Sequence, residues 1–288
     1  MSEECPFSTT LGYFFKQTPG PHCKFVKSSG ISFKSLWRDS SLAVWLMNLW
    51  VYPLLFLWTL FGLILSPVAF CFWKVVTGWS GARIIRHFIW LYGRGWMVIV
   101  TPFVSFERKG FDNHYRERTP CIYIINHLSF FDTFCMAMQT VSDIAFAVRA
   151  WPFRRLFWYT TFMRLARYLD VEELGFDEST ELARAIVAAG GSILFYPEGH
   201  RSPDGQLQRF YSGAFLLAVK LGVPLVPLCI TGTDVLLPPG TFLMHPATIR
   251  MHALAPLEPA EFGGPDAHVT MRKQIKEAMA RELEAMRG

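Results

Sequence analysis

The chain has 288 residues, of which 51% are hydrophobic, 16% aromatic and only 18% charged, against about 25% charged in an average soluble domain. That balance disfavours a freely soluble protein. The net charge of +5 suits an anionic membrane surface or an acidic partner better than nucleic acid, because the chain has no dense Lys/Arg stripe, zinc-finger spacing or RNA-binding signature.

Residues 1–41 are polar and broken by Pro6, Pro19, Gly20 and Pro21, so most of this segment is expected to lack regular structure. Its mixed charges and late apolar run do not fit a signal peptide. Leu42 to Trp73 then forms a run of 32 residues without a single charge. About 20 apolar residues cross a bilayer as a helix, so the run is long enough to do so, and it is too long for an ordinary core helix. Pro53, Gly62, Ser66 and Pro67 interrupt it. Two arrangements fit: one tilted, kinked helix, or a re-entrant hairpin dipping into one leaflet. Basic residues flank both sides (Lys24, Lys27, Lys34 and Arg38 before; Lys74, Arg83 and Arg86 after), and since positive charge stays cytoplasmic, the matched flanks lean towards the hairpin. Ile84 to Val104 is apolar but carries Arg86, His87 and Arg94 among Trp90, Tyr92 and Trp96. It reads either as an interfacial helix or as an amphipathic helix packed on the domain that follows. Residues 42–104 are thus expected to be membrane-inserted and interfacial helices.

From residue 105 to 288 the pattern changes. Short β-branched or apolar runs are predicted as strands over Cys121–Asn126, Ile144–Arg149, Ser192–Tyr196, Pro224–Thr231 and Thr248–Leu257. Helical patterns fall on Phe130–Gln139, Trp151–Leu165, Ser179–Ala189, Gly213–Leu221 and Val269–Met286. This alternation predicts an α/β domain with a mixed, largely parallel sheet flanked by helices. The six cysteines, Cys5, Cys23, Cys71, Cys121, Cys135 and Cys229, form no CxxC pair and read as buried reduced thiols, with neither a disulfide framework nor a metal site.

Two stretches hold the residues suited to chemistry. The strand before Asn126-His127-Leu128-Ser129-Phe130-Phe131-Asp132 places His127 at a strand's carboxyl end, where open α/β sheets build their sites. Ser129 suits an N-cap, and Asp132 three residues on could complete a capping box. With His127 in the loop and Asp132 in the first helical turn, the imidazole can fold back onto the carboxylate, giving a general base with an orienting acid and no nucleophile of its own. Taken alone, the same residues are better read as a helix cap and a structural histidine, since short motifs recur by chance. The second stretch, Tyr196-Pro197-Glu198-Gly199-His200-Arg201-Ser202, turns at the end of strand SILF and brings Glu198 and Arg201 to the same sheet edge. Arg201 could fork onto a phosphate, and Glu198 could order Arg201 or bind a hydroxyl. The run Val223-Pro224-Leu225-Val226-Pro227 reads as a buried strand with prolines at its ends. There is no GxSxG elbow or metal-ligand cluster.

An NHxxxxD block, a YPEG block about 70 residues later and a VPLVP strand beyond it resemble the glycerolipid acyltransferases, typified by bacterial lysophosphatidate acyltransferase, over about Pro120 to Pro227. Each block is weak alone, and their joint order and spacing are specific. The resemblance implies an α/β domain with a hydrophobic membrane element, no cofactor and no metal. It implies acyl-CoA or acyl-carrier protein as co-substrate and membrane lipids as partners, with the site on the cytoplasmic face of a membrane such as a bacterial inner membrane. His127 would deprotonate the acceptor hydroxyl, Asp132 would orient it, and Glu198, Gly199 and Arg201, with Asn126 and Arg149 nearby, would bind substrate. Two positions depart from the family pattern. His200 stands where threonine is usual, and the stretch Leu165 to Glu173 ends in acids where an arginine usually helps hold glycerol phosphate. Arg149, Arg154, Arg155, Arg164 and Arg167 could compensate, and Glu172-Glu173 could instead suit an aminolipid or glycolipid acceptor. A membrane-anchored lipid-binding module without activity is the reading from another class; it would be expected to have lost His127, Asp132 or Glu198, and all three are present.

Overall fold

The computed structural model describes residues 40–111, 120–149 and 157–288. Nearly all of the polar segment 1–41, the start of the predicted helix Trp151–Leu165, and Arg154 and Arg155 lie outside them.

The uncharged run is one helix, α1 (Ser41–Thr77), that passes through Pro53 and Pro67 without a break. Ser40 caps it, accepting the Ala43 N–H at 3.2 Å. Proline removes the bond that would reach the carbonyl four residues back; at Pro67 that carbonyl belongs to Leu63, and the Ser66 hydroxyl donates to it at 3.1 Å. The chain therefore does not fold back within the run: of the two arrangements, it forms the single helix and not the hairpin towards which the matched basic flanks leaned. It turns later, over residues 78–80, and returns as α2 (Gly81–Val100). The helices lie close because Gly95 has no side chain: a Cβ there would sit 2.2 Å from the Trp58 ring. The Trp58 indole donates to the Tyr92 carbonyl at 3.2 Å, and the Thr59 and Tyr92 hydroxyls share a 2.7 Å bond.

Of α1, one stripe packs on the domain: Ala43, Met47, Val51 and Leu55 are buried at four-residue spacing. Beyond Leu55 the helix exposes large apolar residues almost continuously to Val76. Among the described residues it is the one helix long and apolar enough to cross a membrane. The second apolar stretch packs on the domain, with Ile84, Ile85, Met97 and Val100 buried. Arg86, expected to be a basic flank, is buried too. Its Nε donates to Asp143 Oδ1 at 2.5 Å and its Nη1 to the Ala166 carbonyl at 2.9 Å, because a charge held out of water needs a partner.

Seven strands form one sheet in the order β1-β7-β6-β2-β5-β3-β4: β1 Val104–Lys109, β2 Ile122–Ile125, β3 Ile144–Val148, β4 Leu169–Asp170, β5 Ser192–Phe195, β6 Leu225–Thr231 and β7 Ala247–Ala253. All neighbours are parallel except β6 and β7. The central strands β2 and β6 are buried throughout, as parallel strands covered on both faces require. The sequence did not announce β1, whose VSFERK is charged at an edge, or β4, which is two residues long. The helices are α3 (Asp132–Cys135) with a 3-10 turn over Met136–Met138, α4 (Phe157–Leu165), α5 (Phe176–Ala188), α6 (Gly213–Leu221), α7 (Thr233–Leu236) and α8 (Ala267–Arg287). The predicted helix Phe130–Gln139 is thus shorter and split. Pro227 lies inside β6 rather than at its end. Its carbonyl accepts from Leu254 on the β7 side, one residue past the last β6–β7 pair, so the missing N–H interrupts no ladder.

Candidate active site

Because β2, β5, β3 and β6 are parallel, their carboxyl ends share one edge of the sheet, and the segments after β2, β5 and β3 meet there. His127 is two residues past β2 and Asp132 opens α3. His127 Nδ1 lies 2.8 Å from Asp132 Oδ2. The histidine side chain is 18% exposed and the aspartate fully buried. The same Oδ2 accepts the main-chain N–H groups of Leu128 at 2.7 Å and Ser129 at 2.9 Å. Asp132 therefore shapes the loop that carries its partner. The acid half of the expected capping box is present, but the helix begins at Asp132 itself, after Phe131, and Ser129 is used elsewhere. Its hydroxyl accepts from Phe131 at 3.3 Å and donates to the Leu237 carbonyl at 2.7 Å.

The second motif grips the first. Glu198 is 1% exposed, and its carboxylate accepts the N–H of His127 at 2.8 Å and that of Gln208 at 2.8 Å. The Ser202 N–H donates to the His127 carbonyl at 2.8 Å. Both main-chain groups of His127 are thus held by residues 198–202. Tyr196 completes the frame, its ring stacked on the imidazole with centroids 4.0 Å apart. Burial pushes the Tyr196 phenol well above its ordinary range, so the ring stays neutral. Burial also raises the Glu198 carboxyl, opposed by the two N–H donors from Gln208 and His127. Gly199 takes φ +71°, and a Cβ there would meet the Tyr211 ring at 3.0 Å.

The expected substrate-binding residues divide. The Asn126 carboxamide is buried and spent on β6: Nδ2 donates to the Ile230 carbonyl at 2.9 Å and Oδ1 accepts the Ile230 N–H at 2.8 Å. It extends the β2–β6 ladder with a side chain. Glu198 does not order Arg201, because its oxygens point into the His127 loop. Arg201 is exposed, and among the described residues no side chain pairs with its guanidinium. Arg149 follows β3 and is exposed; its Nε donates to Glu172 at 2.5 Å and its Nη1 reaches the Gly199 carbonyl at 3.5 Å. Glu172 is therefore an ion-pair partner, and Asp170 receives the N–H groups of Glu172 and Glu173, both at 3.0 Å. Tyr196, Ser202 and Gln208 were not singled out from the sequence as parts of the frame; the first two lie in the second motif, but only the fold puts them against His127.

The site is also fastened to the apolar helices. The Trp96 ring of α2 stacks on Phe134 of α3 at 4.2 Å, the Trp90 indole donates to the Gln139 carbonyl at 3.0 Å, and Arg94 donates to the Ala137 carbonyl at 3.2 Å.

Residues 87–231 match the family model described as Acyltransferase. Over 162 residues the chain is 31% identical to the chloroplastic 1-acyl-sn-glycerol-3-phosphate acyltransferase BAT2 of Brassica napus, a match that covers 55% of this chain and 46% of that protein. The chain thus spans less than half the length of that relative. It is 26% identical over 200 residues to the 1-acyl-sn-glycerol-3-phosphate acyltransferase of Pseudomonas aeruginosa, covering 64% of this chain and 73% of that protein. The crystal structure of the 1-acyl-sn-glycerophosphate acyltransferase from Thermotoga maritima has the same fold, with a TM-score of 0.61 at 22% identity over 81% of this chain and 96% of that one.

Proposed function

The chain belongs to the acyltransferase family, and from that premise we propose that it moves a fatty acyl chain from a thioester donor, acyl-CoA or acyl-carrier protein, to the hydroxyl of a lysophospholipid. Lysophosphatidate is the acceptor we infer, from the activity for which the relatives are named.

The observation that carries the reading is the 2.8 Å contact between His127 Nδ1 and Asp132 Oδ2. With Nδ1 engaged, Nε2 is the nitrogen left to take the acceptor's proton. The freed oxygen bonds to the thioester carbonyl carbon, the C–S bond then breaks, and the departing thiolate recovers the proton from the imidazolium. Asp132 fixes the tautomer and stabilises the imidazolium between these steps. Glu198 acts as a positioning residue, since a carboxylate whose oxygens already accept two N–H groups has little to offer an anionic acceptor. The exposed Arg201 is the phosphate ligand of this scheme.

α1 provides the membrane attachment, with the site facing the cytoplasmic side on which basic flanks collect. The aminolipid reading has less support, because one of the two acids that motivate it, Glu172, is paired with Arg149. Incubating the full chain with acyl-CoA or acyl-carrier protein and a panel of lysolipids, followed by mass spectrometry, tests the proposal. Transfer to lysophosphatidate is the expected result. Turnover only on an aminolipid, or no transfer to any lysolipid, would overturn it.

A further inference from the structure

Residues 235–246, Val-Leu-Leu-Pro-Pro-Gly-Thr-Phe-Leu-Met-His-Pro, contain no Asp, Glu, Lys or Arg. The run starts in α7 with the exposed Val235 and continues as the loop 237–246 that leads to β7, where Phe242 is 88% exposed and Leu243 next to it is exposed as well. A loop meeting only water gains nothing by offering such side chains. This loop does not stand alone.

It is fastened to α1 by polar groups placed inside the uncharged run. Asn48 is buried there, and its carboxamide bonds both main-chain groups of Met244: Nδ2 donates to the carbonyl at 2.8 Å, and Oδ1 accepts the N–H at 2.9 Å. One helical turn on, the Tyr52 hydroxyl donates to the Phe242 carbonyl. Asn48 and Tyr52 thus share the α1 face that meets the loop. The neighbouring face carries Trp45 and Leu49, the latter 74% exposed. The apolar tip is continuous with the apolar surface of the helix.

We propose that residues 238–243 are a second lipid-contacting element, with Phe242 and Leu243 buried in the same bilayer leaflet as the exposed face of α1. This rests on reading α1 as lipid-inserted. A loop can meet the bilayer if its backbone polar groups are satisfied by protein rather than left in hydrocarbon, and the Asn48 and Tyr52 bonds do this for both main-chain groups of Met244 and for the Phe242 carbonyl. A helix and a loop together fix two points, and so set how the sheet edge faces the bilayer, which a single helix leaves free to rotate. The contact also leads to the site, since the carbonyl of Leu237 at the base of the loop accepts the Ser129 hydroxyl in the His127–Asp132 turn.

Lipid-borne quenchers separate the loop from the helix. The full chain, with Cys5, Cys23 and Cys71 changed to serine, is labelled with one environment-sensitive fluorophore at Phe242→Cys or at Leu49→Cys. It is then placed in vesicles of phosphatidylethanolamine and phosphatidylglycerol that contain nitroxide-acyl lipids. Comparable nitroxide quenching at both positions, with protection from aqueous iodide, is the expected result. Quenching by iodide but not nitroxide at 242, with nitroxide quenching retained at 49, would overturn the loop contact and leave the α1 reading standing. Protection at 242 from both quenchers would mean that another copy covers the loop, and would also overturn it. Loss of nitroxide quenching at both positions would refute the loop and α1 together.

Discussion

The Glu198 carboxylate accepts the main-chain N–H of His127 at 2.8 Å, so the residue proposed to move the proton is held by a side chain 71 positions away in the sequence. A second bond, from Ser202 N–H to the His127 carbonyl, closes the clamp from the same motif. Conformational freedom at His127 is thereby restrained at the main chain, at Nδ1 and on the ring face. Groups positioned in this way need no rearrangement as charge develops.

His127→Ala removes the proposed base and should lower kcat by about 10²–10⁴-fold, the usual size of general-base catalysis. Asp132→Asn should fall in the same range, because an amide cannot accept equally from Nδ1–H and two main-chain N–H groups while favouring the needed tautomer. Initial rates with a fixed acyl donor check both. A His127→Ala enzyme with the wild-type rate would exclude the mechanism.

Glu198→Ala should lower kcat by about 10²-fold with little change in the KM for the acceptor, as expected when a reacting group is displaced and substrate binding is left intact. Glu198→Gln keeps one acceptor oxygen and should recover part of that rate. A pure KM effect would instead assign Glu198 to substrate binding.

The same pair of proteins carries a pH signature. Burial raises the Glu198 carboxyl above its unfolded value, so in the window between the two the folded state binds the extra proton. Wild-type stability therefore falls as pH rises through that window and is level above it. Glutamine does not titrate. The stability of Glu198→Gln relative to wild type, from thermal or denaturant unfolding, should increase as pH rises from below the usual carboxylate range. A constant difference would contradict the raised value.

Asn126→Ala leaves the N–H and carbonyl of Ile230 without their partner at a buried strand end. Each stranded group costs about 1–3 kcal/mol, so a clear fall in unfolding midpoint is expected. Asn126→Asp should be no better, since it restores the acceptor but not the donor and adds a buried charge. Unchanged stability in the alanine variant would show that the side-chain ladder contributes little.

Arg201→Ala should raise the KM for a phosphate-bearing acceptor by about 10–100-fold, the loss of one or two charge-assisted hydrogen bonds. The effect should be much smaller for an acceptor without a phosphate, and Arg201→Lys should recover the charge but not the fork. An equal effect on both acceptors would move the phosphate contact elsewhere.

The sequence alone determined the long apolar run, the α/β domain and the His127–Asp132 pair. Each of these rests on local information: a run without charges, the change from one periodicity to another, and a five-residue spacing that a loop and a helical turn can close. It could not tell whether prolines at 53 and 67 break the helix, because that depends on what else occupies the freed carbonyls. The duties of Asn126, Glu198 and Arg149 were also beyond it. Those residue types suit substrate binding, and only the tertiary structure shows Asn126 spent on Ile230, Glu198 on His127 and Gln208, and Arg149 on Glu172. A polar side chain has a limited number of hydrogen bonds to give, and partners 10 to 104 positions away decide where they go.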